Sequence, residues 1–359
     1  MNNDFNFDNS FYDEQIKKQQ HRSCAGIVSR PFIALGVFFL VCYFVIFLIE
    51  FTLLAIYGNE LPDFFYTPYF NIILNVVSMY VIGFPVFLLV AGKPKCSAFN
   101  PETEKFTPKT FILFLLMGEG AMFTGSIMGQ YFSTVLGKIL GGSLESSIEN
   151  TIDSTPMWLL IIVAVIIGPI IEEIMFRKVL IDHLAPLGNL PAIIISSIAF
   201  GLFHTNFYQF FYAVLIGAIF AYIYLKTRNV KITILLHICA NFLGSVIPTY
   251  AQKLLDIITP LEEAYASGAA LLPSETVLLL LGGYILTIIA LFQYALYFGG
   301  IGVIIYYFFK KKFYIQKNDL LAPPKIILRA SFVNFGSIFY LVICAVLFVL
   351  GIITSLITG

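Results

Sequence analysis

Long apolar runs separated by short polar stretches recur along this chain, many of them close to the roughly 20 residues a helix needs to cross a hydrocarbon layer. Nine runs stand out, at 31–57, 70–92, 110–136, 156–180, 189–204, 208–225, 231–250, 276–308 and 332–357. The fifth and sixth are short and nearly fused, so eight spans is the other count. The eighth is long enough to tilt or to extend past the membrane. The pattern predicts an all-α fold, a polytopic transmembrane helical bundle of about nine spans.

Short cytoplasmic loops carry the excess of Lys and Arg, so the basic residues test the count. One side collects Lys17, Lys18, Arg22 and Arg30, then Lys93, Lys95, Lys105 and Lys109, then Lys178, then Lys226, Arg228 and Lys231, then Lys310, Lys311, Lys312, Lys317, Lys325 and Arg329; the other has only Lys138 and Lys253. Nine spans with the N-terminus in the cytoplasm and the C-terminus outside satisfy this alternation. The polar segment up to Arg22 reads as a mobile cytoplasmic tail. The connections 137–156 and 250–274 are the longest on the other side, with room for surface helices.

Composition agrees with a lipid setting: 59% of residues are hydrophobic and only 12% charged, unlike a soluble domain of this length. Net charge is zero and the basic residues form no broad face, which excludes a nucleic-acid partner on electrostatic grounds. Cys24, Cys42, Cys96, Cys239 and Cys344 form no CxxC pair, so neither a disulfide framework nor a zinc ribbon is expected. The first apolar run is too long for a signal-peptide core and reads as a retained anchor. No internal repeat, GxGxxG, P-loop or HExxH sequence is present.

Ionisable side chains within such runs are costly, about 2.5 to 3.5 kcal/mol each at a helix centre, and mark functional sites. Glu172 and Glu173 stand side by side in the fourth run, followed by Arg177. At about 100° per residue, Glu173 and Arg177 share a helix face as an i, i+4 pair suited to a salt bridge, whereas Glu172 points away. Glu173 is therefore expected to be held by Arg177, leaving Glu172 for general base work. His204 ends the fifth run with Phe200 one turn back, and His237 shares a face of the seventh with Asn241. Two imidazoles, a carboxylate and an amide can activate a water and steady an oxyanion. The same groups also suit a structural staple, helix-to-helix hydrogen bonds or a proton relay. Glu119, between Gly118 and Gly120, is read first as an interhelix hydrogen-bonding residue, with lining a cavity as the alternative; Asn75, Gln130 and Gln293 are read as interhelix glue. Glu50 lies near a helix end, within reach of water.

Three stretches, Glu172-Glu173-Ile-Met-Phe-Arg177, Phe200-Gly-Leu-Phe-His204 and His237-Ile-Cys-Ala-Asn241, resemble in order and spacing the EExxxR, FxxxH and HxxxN pattern of the CAAX-processing and bacteriocin-processing (CPBP; Abi, or CAAX prenyl endopeptidase) intramembrane proteases. The resemblance covers roughly 155–250. It divides the chain into a tail at 1–30, N-terminal transmembrane helices at 31–154, a catalytic core at 155–250 and C-terminal helices at 251–359.

The resemblance implies an intramembrane endopeptidase, a metalloprotease by family, acting on a hydrophobic or membrane-protein substrate. Candidate substrates are a prenylated CAAX-type C-terminus, a peptide pheromone or bacteriocin leader, or a membrane segment. Glu172 would activate the attacking water with His204 as its partner. His237 and Asn241 would stabilise the oxyanion or help to hold a metal, with Glu173 and Arg177 in support. Glu172, His204 and His237 are the candidate ligands of a zinc ion, and equally of a metal-free water site. The bilayer expected by resemblance is a bacterial cytoplasmic membrane. The alternative function is a transporter, or an immunity or scaffold protein, using the same polar cluster. The loop charges put His204 at the outer end of its helix and Glu172 and His237 in the cytoplasmic half. The motif reading therefore requires that the fifth helix start below the membrane surface or the fourth continue well past Arg177.

Overall fold

The computed structural model describes residues 9–58, 60–94, 106–142, 144, 156–313 and 320–358. Lys95, Cys96, Lys105, Lys317, residues 1–8 of the expected tail and most of the connection 137–156 lie outside them. All regular elements among the described residues are helical: α1 (Asn9–Tyr57), α2 (Pro68–Ala91), α3 (Pro108–Leu140), α4 (Met157–Leu187), α5 (Asn189–Phe203), α6 (Phe207–Thr227), α7 (Val230–Ala266), α8 (Pro273–Phe309), α9 (Pro324–Phe332) and α10 (Phe335–Thr358). A short 3-10 turn, Asp63–Tyr66, precedes α2.

Eight of these helices are long and apolar enough to cross a bilayer, and the chain is an integral membrane protein. The predicted fifth span is the exception. As α5 it has 15 residues, about 22 Å at 1.5 Å per residue against a core of about 30 Å. The fourth helix continues to Leu187, ten residues past Arg177, which is one of the two extensions the motif spacing requires. Helix boundaries elsewhere run beyond the apolar runs. The described part of the expected tail, from Asn9, is helical and continuous with α1, because Glu, Gln, Lys and Arg are good helix formers that carry no hydropathy signal. Likewise α7 runs on through the amphipathic stretch to Ala266.

The chain forms two compact units. The first comprises Met1–Glu102, Ile174–Thr205 and Ile315–Gly351. Its core is aromatic: Phe38 and Phe39 of α1 pack on Phe203 of α5 at 5.3 and 5.1 Å between ring centres, and Phe176 of α4 meets Phe200 edge-on at 5.0 Å. Tyr340 of α10, fully buried, donates its hydroxyl proton to the Ala199 carbonyl at 2.8 Å. The Arg30 Nε donates to the Val90 carbonyl at 3.0 Å, tying α1 to α2.

The second unit comprises Thr103–Glu173, Asn206–Tyr314 and Ile352–Gly359. In lipid, helices gain little from the hydrophobic effect and associate through close backbone approach at small residues. α3 does this on two sides. Gly125 and Gly129 lie against the backbone of Tyr212, Phe207 and Tyr208 in α6, and Gly120 against that of Gly300 and Ile301 in α8. Phe123 and Tyr297 stack at 4.6 Å beside the second contact. A methyl group at Gly300 would run into the Leu116 carbonyl oxygen. Gly300→Ala is therefore expected to destabilise the second unit by about 1–3 kcal/mol, the usual cost of overpacking. Thermal unfolding in detergent measures it, with Gly283→Ala, which meets nothing within 4 Å, as the neutral comparison.

Several helices depart from regular winding. Val76–Gly83, Ile161–Ile167, Ile174–Ile181 and Phe242–Val246 have π-helical, i→i+5 hydrogen bonding. Such wide turns are uncommon and collect at functional sites. Three of the four flank the motif residues.

Candidate functional site

Within the second unit, the first half of α4 meets α7. Glu172 and Glu173 end the regular turn Gly168–Glu173, between the wide turns Ile161–Ile167 and Ile174–Ile181. His237 and Asn241 lie one turn apart on α7, immediately before the wide turn Phe242–Val246. The two helices bring both carboxylates to one imidazole.

Glu173 is fully buried, and its Oε1 lies 3.1 Å from His237 Nδ1. His237 is 5% exposed, with its ring packed 5.3 Å from that of Phe220 on α6. The opposite ring nitrogen, Nε2, lies 3.7 Å from Glu172 Oε2, whose side chain keeps 21% of its surface exposed. The carboxylate within hydrogen-bonding distance of His237 is Glu173, and Glu172 faces the same ring from the other side. Wide turns lie on either side of the pair, so side chains along this part of α4 do not follow a uniform 100° spacing.

A carboxylate acceptor on Nδ1 favours the tautomer with its proton there. The neutral ring then presents a lone pair at Nε2 to Glu172 Oε2. Two acceptors cannot bond to each other, and 3.7 Å exceeds a direct hydrogen bond. A water placed to one side could donate to both atoms. This is an arrangement for holding and moving a proton, with the ring clamped by Glu173.

Asn241 adds a second tie between the same helices. Its Nδ2 donates to the Ala164 carbonyl at 3.0 Å, within the wide turn of α4, where a side-chain donor can insert into the disturbed ladder. Ser245 in turn donates its hydroxyl proton to the Asn241 carbonyl, and Thr249 to the Ser245 carbonyl at 2.7 Å.

Arg177 and His204 belong to the first unit. Arg177 is fully buried there with its guanidinium carbon 4.7 Å over the Phe200 ring, a cation–π contact. His204 caps the end of α5, its Nδ1 2.9 Å from the Phe200 carbonyl oxygen and its ring edge-on to Phe200 at 4.9 Å. With Nδ1 engaged one turn back, Nε2 is the nitrogen left for other partners. The next residue, Thr205, has φ 53°, in the left-handed region, and ends the helix sharply after the histidine.

One polar series was missed from sequence. Asn206 caps α6, accepting from the Gln209 N–H at 2.8 Å and donating to Gln209 Oε1 at 2.9 Å; Gln209 hydrogen-bonds Tyr212, whose hydroxyl lies within electrostatic reach of Glu172. Its signal was there to read: polar groups at i, i+3 and i+6 opening an otherwise apolar helix. Of the other buried polar residues, Glu119 is 1% exposed and its Oε1 has no hydrogen-bond partner among the described residues, and the same holds for Gln293 Nε2. The Asn75 amide donates to the Asn71 carbonyl of its own helix at 2.8 Å, so this bond is not the expected interhelix contact.

For a metal, His237 anchored through Nδ1 by a carboxylate has the form of a ligating histidine with its supporting partner. The described residues nevertheless include no group of three or more His, Cys, Asp or Glu side chains disposed to hold one ion.

Residues 154–243 match the family described as type II CAAX prenyl endopeptidase Rce1-like. The chain is also 37% identical over 84 residues to the protein of Bacillus subtilis (strain 168) named "Putative membrane peptidase YdiL", which is 23% of this chain and 34% of that protein. The chain thus spans about a third of the length of the curated relative it matches. No solved structure matches it.

Proposed function

We propose, for a chain whose residues 154–243 match the type II CAAX prenyl endopeptidase Rce1-like family, that it hydrolyses peptide bonds at a membrane-embedded site. The substrate is a hydrophobic-tailed or membrane-associated polypeptide: a CAAX-type prenylated C-terminus, a pheromone or bacteriocin leader, or a membrane segment. The observation that carries this reading is His237 set between two carboxylates, 3.1 Å from Glu173 and 3.7 Å from Glu172. Burying this many ionisable groups in lipid-spanning helices is costly, and a transmembrane scaffold has no need of it.

In the proposed reaction the Glu172 carboxylate takes a proton from a water, and the water oxygen attacks the scissile carbonyl carbon; His204 is assigned a catalytic part by the resemblance of its FxxxH stretch alone. The carbonyl oxygen becomes an oxyanion that accepts from His237 Nε2 when that nitrogen carries a proton, with Asn241 in support. Collapse of the tetrahedral intermediate breaks the C–N bond, and the proton passes from Glu172 to the leaving amine. Glu173 positions His237. Arg177 supports the motif helix, and no step passes through a metal. The membrane is a bacterial cytoplasmic one, with the N-terminus in the cytoplasm.

The test is incubation of the purified chain with a panel of hydrophobic-tailed peptides, with products read by mass spectrometry with and without a chelator. Cleavage of at least one peptide by the natural chain and loss of that product in His204→Ala are expected, at unchanged expression and melting temperature. Full cleavage by His204→Ala would remove the proposed chemistry. Chelator-sensitive cleavage would overturn its metal-free form.

A further inference from the structure

One cavity shares no residue with the carboxylate–imidazole cluster. It lies in the second unit where α3 begins and α8 ends, with a volume of about 360 Å³. One end is cationic and hydroxyl-bearing: Lys109 of α3, Lys312 just past α8, and Tyr306 and Tyr307. The rest is a crease of Leu113, Val303, Gly299 and Gly302, and side chains built at the two glycines would meet nothing within 4 Å.

The polar end is ordered. Lys312 Nζ donates to the Tyr306 hydroxyl at 3.1 Å and sits 4.7 Å and 5.6 Å from the ring centres of Tyr306 and Tyr307. The hydrogen bond it donates to Tyr306 holds the Lys312 ammonium above its ordinary pKa, so it stays charged. Among the described residues no carboxylate lines the cavity, and the first turn of α3 holds none, so the partial positive charge of that helix terminus adds to the two ammonium groups. Two cations, a hydroxyl and a helix N-terminus suit a phosphate. An open apolar crease running from the same point along two lipid-spanning helices suits a hydrocarbon chain, which a free anion lacks.

We propose that this cavity binds an anionic glycerophospholipid, with its phosphate between Lys109 and Lys312 and an acyl chain against Gly299 and Gly302. The site stands whether or not the protease reading does. It is tested by native mass spectrometry of the full chain, released from detergent containing phosphatidylglycerol or phosphatidylcholine with identical acyl chains. One phosphatidylglycerol retained in preference to phosphatidylcholine by about tenfold or more is expected, the scale set by two ammonium groups facing a net anionic headgroup instead of one whose phosphate is neutralised by choline. The adduct should disappear in the Lys109→Gln/Lys312→Gln variant, and in Gly302→Leu, which keeps both lysines and fills the crease. Equal retention of the two lipids, or of phosphatidylglycerol by the natural chain and the lysine variant, would overturn the site. Retention by Gly302→Leu would overturn the acyl-chain placement. Displacement of the lipid by millimolar inorganic phosphate would reassign the site to a free anion.

Discussion

Glu172→Gln is expected to lower peptide turnover by about 10²- to 10⁴-fold, the range a positioned general base contributes, while leaving the fold intact. The amide keeps the volume of the carboxylate and one acceptor oxygen but cannot take a proton from water. Stability should change little, because the Glu172 side chain is 21% exposed and its nearest His237 atom is 3.7 Å away, beyond a direct hydrogen bond. Product yield by mass spectrometry and a melting curve on the same preparation separate the two effects. Turnover within a few-fold of the natural chain would take the water-activating role from Glu172.

Glu173→Ala should do the reverse in order of severity, damaging the fold first and activity with it. Glu173 is fully buried, and its Oε1 is the atom facing His237 Nδ1 at 3.1 Å. Removing one partner of a buried pair leaves the other uncompensated, a loss of about 3–5 kcal/mol. Glu173→Gln retains an acceptor for the Nδ1 proton and should recover much of the stability. If it recovers activity as well, orientation of the ring is the contribution of Glu173; if stability returns without activity, the negative charge beside the imidazole is required. Unchanged melting of Glu173→Ala would show that the pair does not hold α4 and α7 together.

Much of the fold was legible because a bilayer leaves few choices: an apolar run of sufficient length has to be a helix. What hydropathy could not register was where polar sequence continues a helix, as from Asn9 into α1 and from Tyr250 to Ala266 in α7. The short Asn189–Phe203 element read as a span because its residues are apolar, although its length falls below a crossing. The candidate chemistry was legible as residue types, since Glu172, Glu173, His237 and Asn241 are all conspicuous in apolar surroundings. Their partners were not. Which glutamate meets the imidazole depends on winding, and the Ala164 carbonyl taken by Asn241 lies in a wide turn. Neither departs from the α-helical period in any way that side-chain identity encodes.

Those under-wound segments make the site sensitive to the number of residues as well as to their kind. Each amounts to an extra residue accommodated within a continuous helix. Excising one between Ile161 and Ile167 would let that stretch relax to ordinary winding and turn every downstream side chain by about 100°. Both carboxylates would swing off the imidazole with no change in their own identity. Substitutions of one aliphatic residue for another leave this phase alone, so along these helices the chain length between motifs is a tighter constraint than the letters that fill it.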